Sequence, residues 1–128
     1  GAPVTARLGI GIDVPQLATA ALQFADPRVT IHPANEPPGA ESGWLFHLSA
    51  KNVVATGWEA IENGFRVRLR ETAGLAGRLC LRCWRGVQVA LQTDFLGNTL
   101  CELTVEHDKI WVEVNSHEWI QMEVLFAN

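Results

Sequence analysis

The sequence holds no long apolar run, no block of like charge, no internal repeat and none of the compact motifs that announce common chemistries. No stretch approaches the roughly 20 apolar residues of a membrane-spanning helix, and no basic segment precedes a hydrophobic one at the start. The chain is therefore expected to have no membrane partner. Its 10 Lys and Arg stand against 14 Asp and Glu, and no five like charges are consecutive. A nucleic-acid partner is not expected either. Gly-x-Ser-x-Gly, a phosphate-cradling glycine loop and His-Glu-x-x-His are all missing, which removes the usual hydrolase, nucleotide and zinc-protease signatures.

Cysteine is scarce and odd in number. Cys80, Cys83 and Cys101 cannot all pair within the chain, which favours a reducing, cytoplasmic compartment. Cys80 and Cys83 have the Cys-x-x-Cys spacing but lie in an apolar run that reads as a strand, where residues three apart point to opposite faces. Two inert thiols are expected there, not a metal or redox pair. Of the scattered histidines His32, His47, His107 and His117, only His107 and His117, with Asp108, fall at turns that could approach one another. Solvated loop residues are the simpler reading, and no metal site is assigned. Glu102 and Glu113 could pair across strands, but without a cleft such a pair does not define glycoside chemistry.

What is present is a patterned, moderately hydrophobic chain. At 128 residues and 48% hydrophobic composition it has the size of one domain, residues 1–128, with enough apolar side chains for a core. Gly1 stands where an initiating Met is usual, and the chain is read as a fragment of a larger protein. From Trp44 onward, turn signals recur about every ten residues between short alternating segments, the signature of a sandwich or barrel. The segments 44–50, 53–61, 65–71, 78–84, 87–94, 99–105, 109–114 and 118–126 are expected to be strands. Asn63-Gly64 suits a type I′ turn, in which both central residues take positive φ. Residues 1–43 are less regular. Residues 4–12 and 28–32 are compatible with strands, 15–24 is open between a strand and a helix with Asp13 as its N-cap, and 33–43 reads as a crossover loop. The expected fold is an all-β antiparallel sandwich of about eight to ten strands, with one short helix near the N-terminus.

Alternation assigns faces. Phe65, Val67 and Leu69 share one side of their strand, and Arg66, Arg68 and Arg70 the other. Leu79 and Leu81 oppose Arg78 and Arg82 in the same way, and Ile110, Val112 and Val114 oppose Trp111 and Glu113. Six of the eight arginines lie between positions 66 and 85. One sheet is expected to present an arginine-lined outer face containing Arg66, Arg68, Arg70 and Arg82, with Trp84 and Trp111 beside it. The plain reading is a solvated surface in which Glu59, Glu71 and Glu102 pair with arginines, each pair contributing about 0–1 kcal/mol. The sharper reading is a covered surface, since Trp and Arg are enriched at interfaces. It would dock a further domain, or stack an oligosaccharide on Trp84, Trp111 or Trp58. Of these two, docking is favoured.

The stretch Asn52-Val53-Val54, Glu62-Asn63-Gly64, Val67-Arg68-Leu69-Arg70-Glu71 and Gly74 resembles the C-terminal β-domains of the class II α-mannosidases, glycoside hydrolase family thirty-eight. The closing segment Glu118-Trp119-Ile120-Gln121-Met122-Glu123-Val124 resembles the last strand of that domain. The resemblance covers the final two-thirds of the chain. It departs at Trp58-Glu59, where the family often has Lys, and in a last strand without the usual Pro and Thr. The resemblance implies that catalysis belongs to a missing N-terminal domain of the same chain, a zinc-dependent retaining mannosidase whose zinc ligands and nucleophilic Asp have no counterparts here. This fragment is then expected to be inactive and to hold no cofactor. Four motif positions carry over in structural roles: Asn52 for backbone hydrogen bonds, Arg68 with a carboxylate, Glu71, and Gly74 for a tight turn.

Overall fold

The computed structural model describes residues 4, 6, 8–12, 14–25 and 44–127. The anticipated strand at 28–32, the crossover loop at 33–43, and Asp13 lie outside the described residues. One helix, α1 (Leu17–Ala25), precedes nine strands: β1 (Phe46–Leu48), β2 (Val53–Ile61), β3 (Gly64–Glu71), β4 (Gly77–Cys83), β5 (Val87–Thr93), β6 (Thr99–Glu102), β7 (Thr104–Glu106), β8 (Lys109–Val114) and β9 (Trp119–Phe126). They form two antiparallel sheets, one ordered β1-β4-β8-β7 and the other β2-β3-β9-β5-β6.

The alternation read from the sequence builds the core. Phe65, Val67 and Leu69 of β3, with Ile120, Met122 and Val124 of β9, form the inner layer of the five-stranded sheet. Leu79, Leu81 and Cys83 of β4, with Ile110, Val112 and Val114 of β8, form the facing layer. All belong to one buried cluster. Each large aliphatic side chain so buried contributes about 1.5–3 kcal/mol relative to exposure. The sheets also meet through rings, Phe46 of β1 stacking on Phe65 of β3 at 5.5 Å, and within the five-stranded sheet Phe65 lies 5.8 Å from Phe126.

Several local expectations give way to tertiary structure. The single strand expected at 99–105 is two strands in different sheets. At Leu103, whose N–H donates to Ala90 O at 2.8 Å, the chain leaves the edge of the five-stranded sheet and β7 joins β8 in the other. Leu103 packs against the core, and this burial makes the corner. The described residues of 4–12 form no strand; Val4, Leu8, Ile10 and Ile12 are exposed and pair with no neighbouring edge. The helix begins at Leu17, so Gln16 takes the capping position, at φ 57°, and its carbonyl accepts from Ala20 N–H at 3.1 Å.

The β2–β3 hairpin is present, but not with a type I′ turn. Ile61 pairs with Gly64 across the two-residue loop Glu62-Asn63, and only Asn63 takes positive φ, at 56°. Gly64 is required for space. A Cβ there would run into the Val124 carbonyl, with Val124 C at 2.9 Å and Leu125 Cα at 3.1 Å.

Candidate functional surface

Strand pairing decides which arginines share a face, and it divides the expected single surface in two. Arg66, Arg68 and Arg70 lie on the outer side of the five-stranded sheet, opposite Glu123, Gln121 and Trp119 of β9. Arg78 and Arg82 lie on the outer side of the four-stranded sheet, where Arg78 pairs with Glu113 and Arg82 with Lys109, while Trp111 sits opposite Cys80. These faces point in opposite directions from the core. Trp84 belongs to neither; it follows β4, and its ring meets the edge of Phe126 at 6.0 Å.

Each arginine among the described strand and turn residues 66–85 is occupied, and mostly not as charge counting suggested. Arg66 bridges Glu59 and Glu123, donating through Nε to Glu123 Oε1 at 2.9 Å. Among the described residues Arg68 meets no carboxylate, contrary to the motif expectation. Its Nε donates to Gln121 Oε1 at 2.7 Å, and its guanidinium lies over Phe95 at 5.5 Å. Gln121 in turn donates to Thr93 Oγ1 and Asp94 O, so Gln121 and Thr93 are buried although they lie on the outer side. Arg82 pairs with Asp108 at 2.6 Å, a contact that holds the Asp108 carboxyl below its ordinary value. Arg70 covers Trp119, Arg78 covers Trp111, Arg82 covers Trp44, and Arg85 covers both Trp84 and Phe126. Such contacts contribute about 0.5–1 kcal/mol each at exposed sites.

Trp58 differs from the other four tryptophans. Among the described residues no arginine covers it, and it is 63% exposed. It follows a β-bulge between Ala55 and Gly57, and its register opposite Val67 puts it on the core-facing side of the sheet. That side is uncovered there because β2 is the edge strand, and the facing sheet ends at the three-residue β1. Gly57, Trp58, Glu59, Arg66 and Arg68 border a shallow depression at this edge.

Glu71 is the most unusual group in the molecule. Expected to pair with an arginine on the surface, it is instead fully buried at the end of β3. Its Oε1 accepts from Asn52 Nδ2 at 2.9 Å and from Ala73 N–H at 2.7 Å, while Oε2 accepts from Gly74 N–H at 2.7 Å and His117 N–H at 2.8 Å. Asn52 therefore contributes its side chain to an anion, while its carbonyl takes the backbone role, accepting from Thr72 N–H at 2.8 Å. Gly74 has φ 76°, the turn conformation foreseen for it. Burial pushes the Glu71 carboxyl up, but the hydrogen bonds it accepts, those from His117, Asn52 and Ala73 foremost, together outweigh it and hold the group at about 2. The spacing of Glu71 two and three residues before Ala73 and Gly74, which lets one carboxylate capture both amides, was the available sequence signal for this site. The burial was not legible.

Because its folded value is depressed, Glu71 contributes stability above its ordinary value of 4.5, and this is lost as pH falls toward about 2. An acid titration followed by tryptophan fluorescence is expected to show loss of structure across that interval. A Glu71→Gln variant should be less stable at neutral pH and lack this part of the acid dependence; an unchanged profile would refute the assignment.

The remaining candidates do not converge. Glu102 on β6 and Glu113 on β8 are in different sheets, so they do not pair, and Glu102 has no ion pair among the described residues. His107 with Asp108, and His117, lie in the turns at opposite ends of β8. His117 belongs to the Glu71 turn, its Nδ1 at 4.0 Å from Oε2. Among the described residues no three His, Cys, Asp or Glu side chains group as metal ligands, and no helix is long and apolar enough to cross a membrane.

The two spaced cysteines point apart as expected. Cys83 lies in the core and Cys80 on the outer side, all three thiols are free, and burial pushes Cys83 up to about 12 and raises Cys80. Iodoacetamide is expected to alkylate exposed Cys101 first and to spare Cys83 until the protein is unfolded. Mass mapping that finds Cys83 labelled as fast as Cys101 would contradict the buried placement.

The chain matches no protein-family model, no curated protein and no solved structure.

Proposed function

We propose that this chain is a non-catalytic accessory β-sandwich that packs against another domain of the same protein and supports it. By the resemblance of residues 52–74 and 118–124, that domain is an α-mannosidase-like glycoside hydrolase domain that supplies the zinc and the acid chemistry. The observation that carries the reading is Trp58, a large ring at an open sheet edge with core-facing register and no intramolecular cover among the described residues. Trp is among the side chains that most often anchor protein contacts, and Arg66 and Arg68 reach the same edge from the opposite, outer face of the sheet. Glu71, the one deeply buried acid among the described residues, is consumed by the hydrogen bonds that join three turns.

Trp58→Asp tests the docking. In the full-length protein it is expected to lower the unfolding midpoint and expose β2 to hydrogen exchange, while leaving the isolated domain unchanged. Equal effects in both contexts would remove the docking role. The rival reading, a sugar-binding module, predicts that the isolated chain binds mannosides at millimolar concentration or tighter and loses this in Trp58→Ala or Trp84→Ala. Four of the five tryptophans stack against the chain's own arginines, which leaves less of each ring open to a sugar and favours silence in that titration. Glycosidase turnover by the isolated chain, abolished by changing one of its own carboxylates, would overturn both.

A further inference from the structure

We infer that Asn63 is a site of spontaneous covalent conversion, and that Arg85 and the end of β9 hold this reaction in check. The chemistry is intrinsic to Asn followed by Gly. The Gly64 backbone nitrogen attacks the Asn63 side-chain carbonyl carbon, the Cγ–Nδ2 bond breaks, and ammonia leaves with the amide proton. Water then opens the cyclic imide at either carbonyl to give aspartate or isoaspartate, with no oxidant or cofactor required. Gly64 favours the first step because it has no side chain to crowd the nitrogen, and Asn63 stands exposed at the tip of the β2–β3 hairpin.

Three features of the fold oppose the attack. The side-chain amide of Asn63 donates through Nδ2 to Phe126 O at 3.0 Å, and its Oδ1 accepts from Arg85 Nη2 at 3.2 Å. That guanidinium is itself fixed, lying over the rings of Trp84 and Phe126 and donating to Ala127 O at 3.2 Å. Gly64 is paired with Ile61 on one side and with Leu125 on the other, so its nitrogen is not free to swing toward Cγ. Reaction therefore requires the hairpin tip to open, and its rate reports that opening.

Conversion would also change the structure. Both products lose the Nδ2 donor: aspartate sets a carboxylate oxygen against the Phe126 carbonyl, whereas isoaspartate takes Cγ into the main chain, frees the α-carboxylate and lengthens the backbone beside Phe126 N–H, which donates to Asn63 O at 2.9 Å. The end of the central strand β9 then loses its tether to the hairpin, so Asn63 acts as an ageing-sensitive latch.

The test is to incubate the folded chain in mildly alkaline buffer at physiological temperature and follow residues 62–66 by peptide mapping. Isoaspartate is scored with a methyltransferase specific for that residue. Conversion is expected at Asn63, several-fold slower in the native protein than in urea, and several-fold faster in Arg85→Ala than in the wild-type chain. Arg85→Lys, which keeps the charge but loses the fork and ring stacking, serves as a second variant should Arg85→Ala fold poorly, and is expected to be intermediate. Equal rates in native protein and urea, or an Arg85 variant that is folded by circular dichroism yet converts at the wild-type rate, would overturn the inference.

Discussion

Glu71→Gln is expected to lower the midpoint of thermal unfolding by about 10 °C, although the two side chains have nearly the same size and shape. The reason is the direction of the hydrogen bonds. Each carboxylate oxygen of Glu71 receives two N–H donors: Asn52 and Ala73 on one, Gly74 and His117 on the other. A glutamine has one oxygen and one NH2, so in either orientation it sets donors against two donors in a place water does not reach. Three turns are then loosened at once, those at residues 49–52, 72–76 and 115–118. Glu71→Ala is expected to be at least as damaging because all four donors lose their acceptor. Thermal unfolding of the three proteins at neutral pH is the check, and a Gln variant within one or two degrees of wild type, about what an exposed substitution gives, would show that the site is open to solvent.

Gly64→Ala is expected to cost about 3 kcal/mol, the upper part of the usual range for forcing an extra carbon into a packed site. Its Cβ would collide with the backbone of Val124 and Leu125 on the central strand β9, and backbone cannot rotate aside as a side chain can. Gly57 is the internal control. It lies one strand away at the bulge, with nothing within 4 Å of an added Cβ and no positive φ, so Gly57→Ala should be neutral or slightly stabilising. Gly64→Asn separates the two reasons a hairpin might need glycine. Were positive φ the requirement, Asn would be tolerated, since it visits that region more readily than other side chains. Because space is the requirement, Asn should be as harmful as Ala. Urea unfolding gives the answer as a shift in midpoint at unchanged slope, and a harmless Gly64→Asn would restore the dihedral explanation.

These two residues show how the same sequence signal can locate a feature and mislead about its cause. Asn63-Gly64 correctly marks the position of a tight hairpin, although the two-residue loop is Glu62-Asn63 and Gly64 is the first residue of β3. The reason for the glycine comes from a strand nearly sixty positions later in the chain. Glu71 reads as one more charge on an arginine-rich strand, and its burial depends on Asn52 and His117 arriving from two other turns. The arginine face failed in a similar way. Arg66, Arg68, Arg70, Arg78 and Arg82 each lie on the expected side of their own strand, yet the first three ended on one outer surface and Arg78 and Arg82 on the opposite one. Trp58, read as one of several stacking candidates, is distinguished by having no cover among the described residues at the edge of a sheet with more strands than its partner.

What the residues determined by themselves was local: period-two alternation placed Phe65, Val67, Leu69, Leu79, Leu81, Ile110 and Val112 inward, and the breaks between them placed the turns. Only the tertiary structure decided which strands became neighbours, where the 99–106 segment changed sheets, and which polar groups were enclosed. The physical reason is that alternation is a property of one strand's own backbone geometry. Pairing runs through main-chain groups that every residue carries, so the choice of neighbour comes from packing between distant segments.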